Sequence, residues 1–93
     1  MIANYFLSMS IGKKRKDGSP FYVMNVLAID RYGLLNAVPV FFPDLESYQH
    51  VLDMRIQSGT AIIPTMTLSG QCVDVRLDER YAPLSLDGPA SKR

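Results

Sequence analysis

The residues of this chain that are best suited to chemistry lie together between positions 12 and 22. Four consecutive cations are followed by Asp17-Gly18 and then by two adjacent aromatic residues. Cationic side chains pair with phosphates and aromatic rings stack on unpaired bases, so this combination is typical of a surface that binds a single-stranded nucleic acid. The alternative is a solvated basic loop that keeps the edge of a sheet soluble. The candidate binding residues of this segment are Lys13, Lys14, Arg15, Lys16, Phe21 and Tyr22.

Residues that could carry catalysis are scarce. The chain has one histidine, His50, and one cysteine, Cys72, which could form a nucleophile pair, but no local motif supports this. A surface histidine and a small buried cysteine are the simpler interpretation, and one residue of each type does not make a zinc site. The sequence also contains no glycine-rich phosphate loop and no dinucleotide fingerprint. We therefore expect a protein that is not an enzyme, with no metal, no cofactor and no small-molecule substrate.

Length and composition indicate one small domain whose positive charge is local. A chain of 93 residues can form one modest core, and its formal net charge is only +1. A single cysteine cannot form an internal disulfide, which favours a reducing compartment. No segment approaches the run of about 18 apolar residues that a membrane span requires, and residues 1–11 lack the basic start of a signal peptide. We therefore expect a cytoplasmic protein that is not associated with a membrane.

Hydrophobic periodicity predicts five strands and one helix. Alternating or β-branched and aromatic runs predict the strands, and apolar residues at helical spacing predict a helix between an N-cap at Asp44 and a C-cap at Gly59. Pro64, within the fourth strand, indicates an edge or a bulge. The predicted strands are 5–11, 20–30, 36–42, 60–68 and 71–77, and the predicted helix is 45–56.

Three strands, a helix and two further strands form the element order of an OB-type barrel. We therefore expect an all-β fold, a five-stranded OB-fold-like barrel with a protruding basic β-hairpin and one short helix between strands 3 and 4. Residues 1–81 would form a single OB-like nucleic-acid-binding domain. Residues 82–93 are rich in proline and glycine and poor in apolar residues, so we expect them to form a flexible C-terminal tail.

The Asp17-Gly18 pair predicts a tight two-residue turn between the first two strands. Ile11 would then face Met24 on a wholly apolar surface, which must be the core side of the hairpin. Phe6 would face Ile29 on the opposite side, where apolar and polar residues are mixed. A one-residue error in the turn would exchange these two faces.

The same register predicts which residues of the hairpin share its mixed face. Lys14 would lie opposite Phe21, and Lys16 and Val23 would lie on that face as well. Tyr22 would lie on the other face. The register therefore predicts a surface on which cations and apolar side chains alternate.

Three further residues are candidates for nucleic-acid contact. Tyr32 follows Arg31 in a predicted turn, where it is either a stacking platform or an ordinary loop residue. Arg76 and Arg80 lie in or near the last strand and would extend the cationic track. The alternative for both arginines is pairing with acidic neighbours, which are Asp74, Asp78 and Glu79.

The segment Lys16-Asp17-Gly18-Ser19-Pro20-Phe21 resembles the basic-x-Gly-x-Pro-aromatic wing of the gene V-type single-stranded DNA-binding proteins of filamentous phages, the inoviruses. The resemblance is closest over residues 12–40. It implies an OB-like barrel, a two-fold homodimer and sequence-independent coating of single-stranded DNA during phage replication in the cytoplasm of the bacterial host. It also implies DNA contacts at Lys16, Phe21 and Val23.

The chain departs from the pattern of this family in three places. The predicted helix 45–56 is longer than the connection found in the family and is more like that of bacterial single-strand binders. Residues 41–43, Phe-Phe-Pro, stand where the family has a lysine near the end of the third strand. The turn at residues 68–71 is shorter than the loop through which the family forms its dimer. We therefore expect a homodimer that forms on another surface, such as the mixed face of Phe6 and Ile29.

The expected function is non-catalytic binding of single-stranded DNA. RNA stays open as a ligand because stacking and phosphate contacts alone do not distinguish the two polymers. The alternative from another class is a protein-interaction module of a replication or regulatory complex, which the near-neutral net charge favours. Its docking patch would be formed by phenylalanines among Phe6, Phe21, Phe41 and Phe42.

Overall fold

The computed structural model describes residues 3–84, which form five antiparallel strands in one sheet and one short helix. The strand order is β3-β2-β1-β4-β5, and no ladder joins β3 to β5 within the described residues, although the two strands approach each other. The predicted mostly-β fold with its single helix between the third and fourth strands is therefore confirmed. The elements are β1 Ala3–Lys13, β2 Pro20–Ile29, β3 Leu35–Phe42, α1 Leu45–Asp53, β4 Ala61–Met66 and β5 Cys72–Leu77.

The loop between β1 and β2 is longer than the sequence predicts. Lys13 pairs with Pro20, and beyond that pair the backbone N–H of Lys14 donates to the carbonyl of Ser19 over 2.8 Å. The carboxylate of Asp17 accepts the backbone N–H of Ser19 over 2.9 Å, which makes an Asx turn in place of a two-residue hairpin turn. The predicted two-residue turn is therefore wrong. The pairing shifts by two residues, so the odd and even positions of β2 keep their predicted faces.

A β-bulge at Leu7 divides β1 into two halves. Phe6 pairs with Val26 and Ser8 pairs with Asn25, so Leu7 has no partner in β2. An extra residue in one strand reverses the alternation of its side chains beyond that point. Phe6 is consequently buried in the core, and the prediction that it lies on the mixed face is wrong. The predicted dimer surface that included Phe6 is wrong for the same reason.

The segment that precedes β4 holds the bulge in place. The hydroxyl of Ser58 donates to the carbonyl of Leu7, the N–H of Gly59 donates to the carbonyl of Phe6 over 2.7 Å, and the N–H of Phe6 donates to the carbonyl of Thr60 over 2.9 Å. Gly59 adopts a φ of +95°, a conformation that favours glycine. The backbone conformation of Gly59 therefore allows its hydrogen bond to β1, and the prediction that Gly59 is the helix C-cap is wrong.

The main core lies between the sheet and α1. Phe42 and Tyr48 meet edge to face with their ring centroids 5.6 Å apart, an arrangement that contributes about 0.5–1.5 kcal/mol beyond the burial of area. Placement of Tyr48 in the core is the ordinary outcome for an aromatic residue at helical spacing. The buried residues of this cluster are Phe6, Met24, Val26, Phe42, Tyr48, Val51, Ile62, Cys72 and Val75.

A second cluster on the other side of β1 contains Ala3, Tyr5 and Ala61. Leu84 packs against it, and the N–H of Leu84 donates to the carbonyl of Gly59 over 2.8 Å. The packed part of the chain therefore includes Leu84, three residues beyond the predicted domain boundary at position 81. The remainder of the predicted flexible tail, residues 85–93, lies outside the described residues.

Pro64 is tolerated in β4 because the neighbouring strand does not reach it. β1 pairs with β4 only through Asn4–Ile62 and Tyr5–Ala61, so Pro64 needs no N–H on that side. The ladder to β5 has an irregularity between Thr65 and Met66. The prediction of an edge or a bulge at this proline is confirmed.

Helix α1 begins as the sequence predicts and ends earlier. The carboxylate of Asp44 accepts the N–H of Ser47 over 2.8 Å, which confirms the predicted N-cap and lowers the pKa of Asp44. The helix ends at Asp53, and Arg55 adopts a φ of +53°, the left-handed conformation that favours glycine. No helix within residues 3–84 is long and apolar enough to cross a membrane.

The left-handed backbone at Arg55 provides a test of the helix end. We expect Arg55→Gly to be more stable than Arg55→Ala by about 1–2 kcal/mol, because only glycine adopts this conformation without a clash of Cβ. Both variants remove the same side chain, so each is the control for the other. The measurement is the free energy of unfolding from urea titrations, and equal stabilities would contradict the assigned backbone conformation.

Candidate nucleic-acid interface

The hairpin formed by the end of β1 and the start of β2 extends beyond the core and carries exposed cations. Ile11 is 55 % exposed although it lies on the face where Met24 is fully buried, so the core ends near this residue. We call residues 11–22 the wing. Its cations, which are Lys13, Lys14, Arg15 and Lys16, are exposed, and neither of the ion pairs within residues 3–84 involves them.

One acidic residue lies among the wing cations. The carboxylate of Asp17 accepts hydrogen bonds from the hydroxyl of Ser19 over 2.7 Å and from its N–H over 2.9 Å. These bonds, with the nearby charge of Lys14, lower the pKa of Asp17. Asp17 is therefore ionised at neutral pH and shapes the loop, and the wing keeps an excess of positive charge.

Phe21 covers Gly12 on the outer face of the wing. The two residues are cross-strand partners, and a Cβ placed on Gly12 would lie 2.2 Å from Cζ of Phe21. The ring of Phe21 also meets the ring of Phe41 edge to face, with centroids 6.0 Å apart. The absence of a side chain at position 12 therefore allows Phe21 to lie flat against β1 and to form an aromatic surface with β3.

Two of the predicted nucleic-acid-binding residues, both on β2, are less exposed than the sequence predicts. Val23 lies on the same face as Phe21, as predicted, but it is only 7 % exposed. Tyr22 lies on the opposite face and packs against Tyr48, with ring centroids 5.4 Å apart. Val23 therefore supports the aromatic surface from beneath, and Tyr22 mainly links the wing to the core.

The register changes the predicted surroundings of two lysines. Lys14 lies opposite Ser19 rather than Phe21, although it lines the same pocket as Phe21. Lys16 lies in the loop beyond the last ladder pair, so the prediction that it lies on the mixed face of the paired strands is wrong. Both side chains remain exposed and positively charged.

A pocket of about 320 Å³ lies at the base of the wing. We call it the wing-base pocket, and its lining combines aromatic rings with a cation and an amide. Phe41, which is 44 % exposed, and Gln71 were not among the predicted nucleic-acid-binding residues. The alternation along the third strand could have indicated that Phe41 and Phe42 face opposite sides, but no sequence signal indicated Gln71. The lining includes Lys14, Phe21, Tyr22, Phe41, Phe42 and Gln71.

The remaining predicted residues do not join the wing. Tyr32 is exposed in the β2–β3 turn, at the end of β2 opposite the wing, with the guanidinium of Arg31 5.7 Å from its ring centroid. Arg80 binds the buried carboxylate of Asp78 through two hydrogen bonds of 2.9 Å each, and this contact lowers the pKa of Asp78. Arg76 is exposed on β5. For Arg80 the alternative, that the arginine pairs with an acidic neighbour, is therefore confirmed.

His50 and Cys72 do not form a pair with each other. Nε2 of His50 lies 2.9 Å from the carboxylate of Asp74, and this contact ties α1 to β5. The pKa of Asp74 is lowered first by the N–H of Val75 and then by His50. The thiol of Cys72 is fully buried, which raises its pKa, and it donates to the carbonyl of Asp74 over 3.2 Å. Among residues 3–84, no group of three metal-ligating side chains is present.

Comparison of the chain with protein-family models, with curated proteins and with solved structures finds no match. The resemblance to the gene V-type proteins, which is closest over residues 12–40, therefore stays a prediction from the sequence.

The contact between Gly12 and Phe21 generates a test by a double-mutant cycle. We expect Gly12→Ala to lower the stability by about 1 kcal/mol, the typical effect of one substitution, because the new methyl group displaces the ring of Phe21. In a Phe21→Leu background the same substitution should cost less, since no ring lies over position 12. Thermal unfolding measures both costs, and equal costs in the two backgrounds would show that the ring does not lie over Gly12.

Proposed function

We propose that this chain is a non-catalytic single-stranded DNA-binding protein that contacts the strand through the wing, largely independently of sequence. The observation that carries the proposal is the set of four exposed cations, outside the ion pairs of the described residues, on a hairpin beside the Phe21–Phe41 surface. Phosphates and unpaired bases together match these two features. The wing resemblance extends the proposal to the coating and protection of phage DNA during replication in the host cytoplasm.

The proposal includes an OB-like architecture. The strand order β3-β2-β1-β4-β5, with a helix between β3 and β4, supports this proposal, because the OB fold is a partly open barrel of five strands. In OB folds the face of strands 2 and 3 and the loops between strands 1 and 2 and between strands 4 and 5 bind oligonucleotides. In this chain the wing joins β1 to β2, Phe21 lies on β2 and Phe41 lies on β3, and these positions support the proposal.

The magnitudes are consistent with useful binding only when two wings act together. Four phosphate contacts on a single strand give a slope of about −3 for log K against log salt, at about −0.7 per contact. Stacking on one or two rings adds about 1–3 kcal/mol each. Two linked wings would raise the affinity further because the second contact becomes intramolecular.

The salt dependence of DNA binding tests the wing directly. We expect the double variant Lys14→Gln, Lys16→Gln to reduce the slope from about −3 to about −1.4, because two phosphate contacts are lost. The measurement is fluorescence anisotropy of labelled oligo-dT between about 50 and 200 mM salt, the range over which such binding weakens strongly. Duplex DNA and an RNA strand of the same length show whether the preference is for single strands and for DNA.

Arg55→Gln is the control, because it replaces an exposed cation by the same neutral residue but lies beyond α1, outside the wing. It should leave the slope unchanged. An unchanged slope in the lysine variant would remove the wing from the mechanism. Absence of binding by the unaltered protein at low salt would reject the proposed function.

The homodimer is part of the proposal and requires a surface other than the wing. β3 is an edge strand that pairs only with β2 in the described sheet. Leu34, Leu35 and Val38, at its start and along it, are large exposed apolar residues. The same strand of a second copy can pair with this free edge in a symmetric dimer. Without such a partner, an exposed apolar edge promotes aggregation. We propose that two copies associate through this edge.

Light scattering on the purified protein tests the dimer. We expect a mass twice that of one chain for the unaltered protein and that of a single chain for Leu35→Lys, because a charge at the edge opposes strand pairing. Leu68→Lys, in the exposed β4–β5 turn, is the control and should remain dimeric. A single-chain mass for the unaltered protein would reject the dimer, and a dimeric Leu35→Lys would reject this edge as its interface.

The same exposed residues favour the protein-interaction module as the second candidate function. Its predicted docking patch is wrong in part, since Phe6 and Phe42 are buried in the main core. A partner bound at Leu34, Leu35 and Val38 would associate by burial of apolar area. Such binding is nearly independent of salt, unlike the binding of DNA.

A further inference from the structure

The wing-base pocket lies where the two free edges of the sheet approach each other. Phe41 and Phe42 end β3, Gln71 immediately precedes β5, and the wing supplies Lys14 and Phe21. Its volume of about 320 Å³ is at the lower end of the range of about 300–1,000 Å³ for small-molecule sites. The pocket is therefore large enough for one small flat group and not for an extended ligand.

One wall of the pocket is an aromatic surface with a fixed geometry. Phe41 presents an exposed ring, and Phe21 holds that ring edge to face with an interplanar angle of 63°. Phe21 is itself held against Gly12 of the neighbouring strand. The ring of Phe41 is thus available for stacking by a planar group, which is the contact that bases make with aromatic side chains.

The lining of the pocket also includes the side-chain amide of Gln71. The N–H of Thr67 donates to the carbonyl of Gln71 over 2.7 Å, and the N–H of Gln71 donates to the hydroxyl of Thr67 over 3.1 Å. The hydroxyl of Ser69 donates to Oε1 of Gln71 over 3.4 Å. The side-chain amide of Gln71 thus makes one hydrogen bond within the described residues, through Oε1. Both N–H groups of its Nε2 are available for an acceptor on a ligand.

The positive charge of Lys14 at the pocket favours a ligand that carries a negative charge. Lys14 lines the pocket and is exposed, and neither ion pair of the described residues includes it. The matching ligand has a flat ring for Phe41, a hydrogen-bond acceptor on the edge of that ring for Gln71, and an attached anion for Lys14. A nucleotide of a single strand has all three parts.

We propose that the wing-base pocket binds one nucleobase of the bound strand. The base stacks on Phe41, the Nε2 amide of Gln71 donates to an acceptor on the edge of the base, and Lys14 pairs with the adjoining phosphate. This inference rests on the proposed function and assigns Phe41 and Gln71 roles in base contact. The wing cations bind the phosphate backbone of the strand. The pocket makes the affinity for the strand depend on the presence of a base.

The test compares strands with and without bases. Anisotropy titrations would use labelled oligo-dT of about 16 nucleotides, the upper site size of one OB fold, and an abasic deoxyribose-phosphate strand of the same length. We expect Phe41→Leu to weaken binding of oligo-dT by roughly 5- to 150-fold, the range for one lost stacking contact. Gln71→Leu should weaken it by roughly 2- to 12-fold, the range for one neutral hydrogen bond. Neither variant should change binding of the abasic strand.

Two matched variants control for general effects of the substitutions. Leu52→Ala removes a partly exposed apolar side chain from a separate surface cavity between α1 and β1. Gln49→Leu removes an exposed amide on α1 that donates to Asp53 over 2.9 Å. Both controls should bind both strands as the unaltered protein does. Circular dichroism of each variant establishes that the sheet is retained.

The outcomes separate this inference from the proposed function. Absence of binding to either strand by the unaltered protein would overturn both. Equal affinity of the unaltered protein for the two strands would overturn the pocket and leave backbone binding by the wing intact. Loss of affinity for both strands in Phe41→Leu, with the fold retained, would also overturn the base contact, because a stacking residue has no partner on an abasic strand.

Discussion

The β-bulge at Leu7 is the constraint on which the rest of the structure depends. It allows one continuous strand to place Phe6 in the main core and Tyr5 in the second cluster, while Met9 still faces the main core further along. A bulged strand bends, and β1 contacts β4 only before the bulge and pairs with β2 alone after it. The part of β1 beyond the bulge, which β4 does not reach, continues with β2 into the wing, and the part of β4 that β1 does not reach leads to the turn before Gln71.

Whether a cation of this protein forms an ion pair depends on where it lies in the fold. The wing extends beyond the core, where its only acidic residue, Asp17, is engaged by Ser19. Arg80, in contrast, lies two residues after the buried Asp78, which follows the end of β5, and the two side chains form a two-bond ion pair. A buried carboxylate requires such a partner, whereas exposed wing cations require none. The same residue type is therefore structural at one site and available for ligands at the other.

Local features were predictable from the sequence, whereas features that depend on distant residues were not. The strands, the Asp44 N-cap and the unusual position of Pro64 follow from side-chain types and short-range periodicity. The bulge was missed because it is held by the segment of Ser58, about fifty positions away in the chain. The hairpin loop was missed because the Asx turn of Asp17 competes with the two-residue turn that Asp-Gly favours elsewhere.

The sequence by itself determined that the chain forms mostly strands and that its positive charge is concentrated beside two aromatic residues. Only the tertiary structure decided which aromatic rings are exposed. Phe41 is 44 % exposed and Phe42 only 4 % exposed, although they are adjacent. Alternation in a strand sends neighbours to opposite faces, but α1 decides which face is covered, since Phe42 packs on Tyr48. The proximity of Gln71 to Phe41 likewise depends on the approach of two strands that are distant in the chain, which no local pattern encodes.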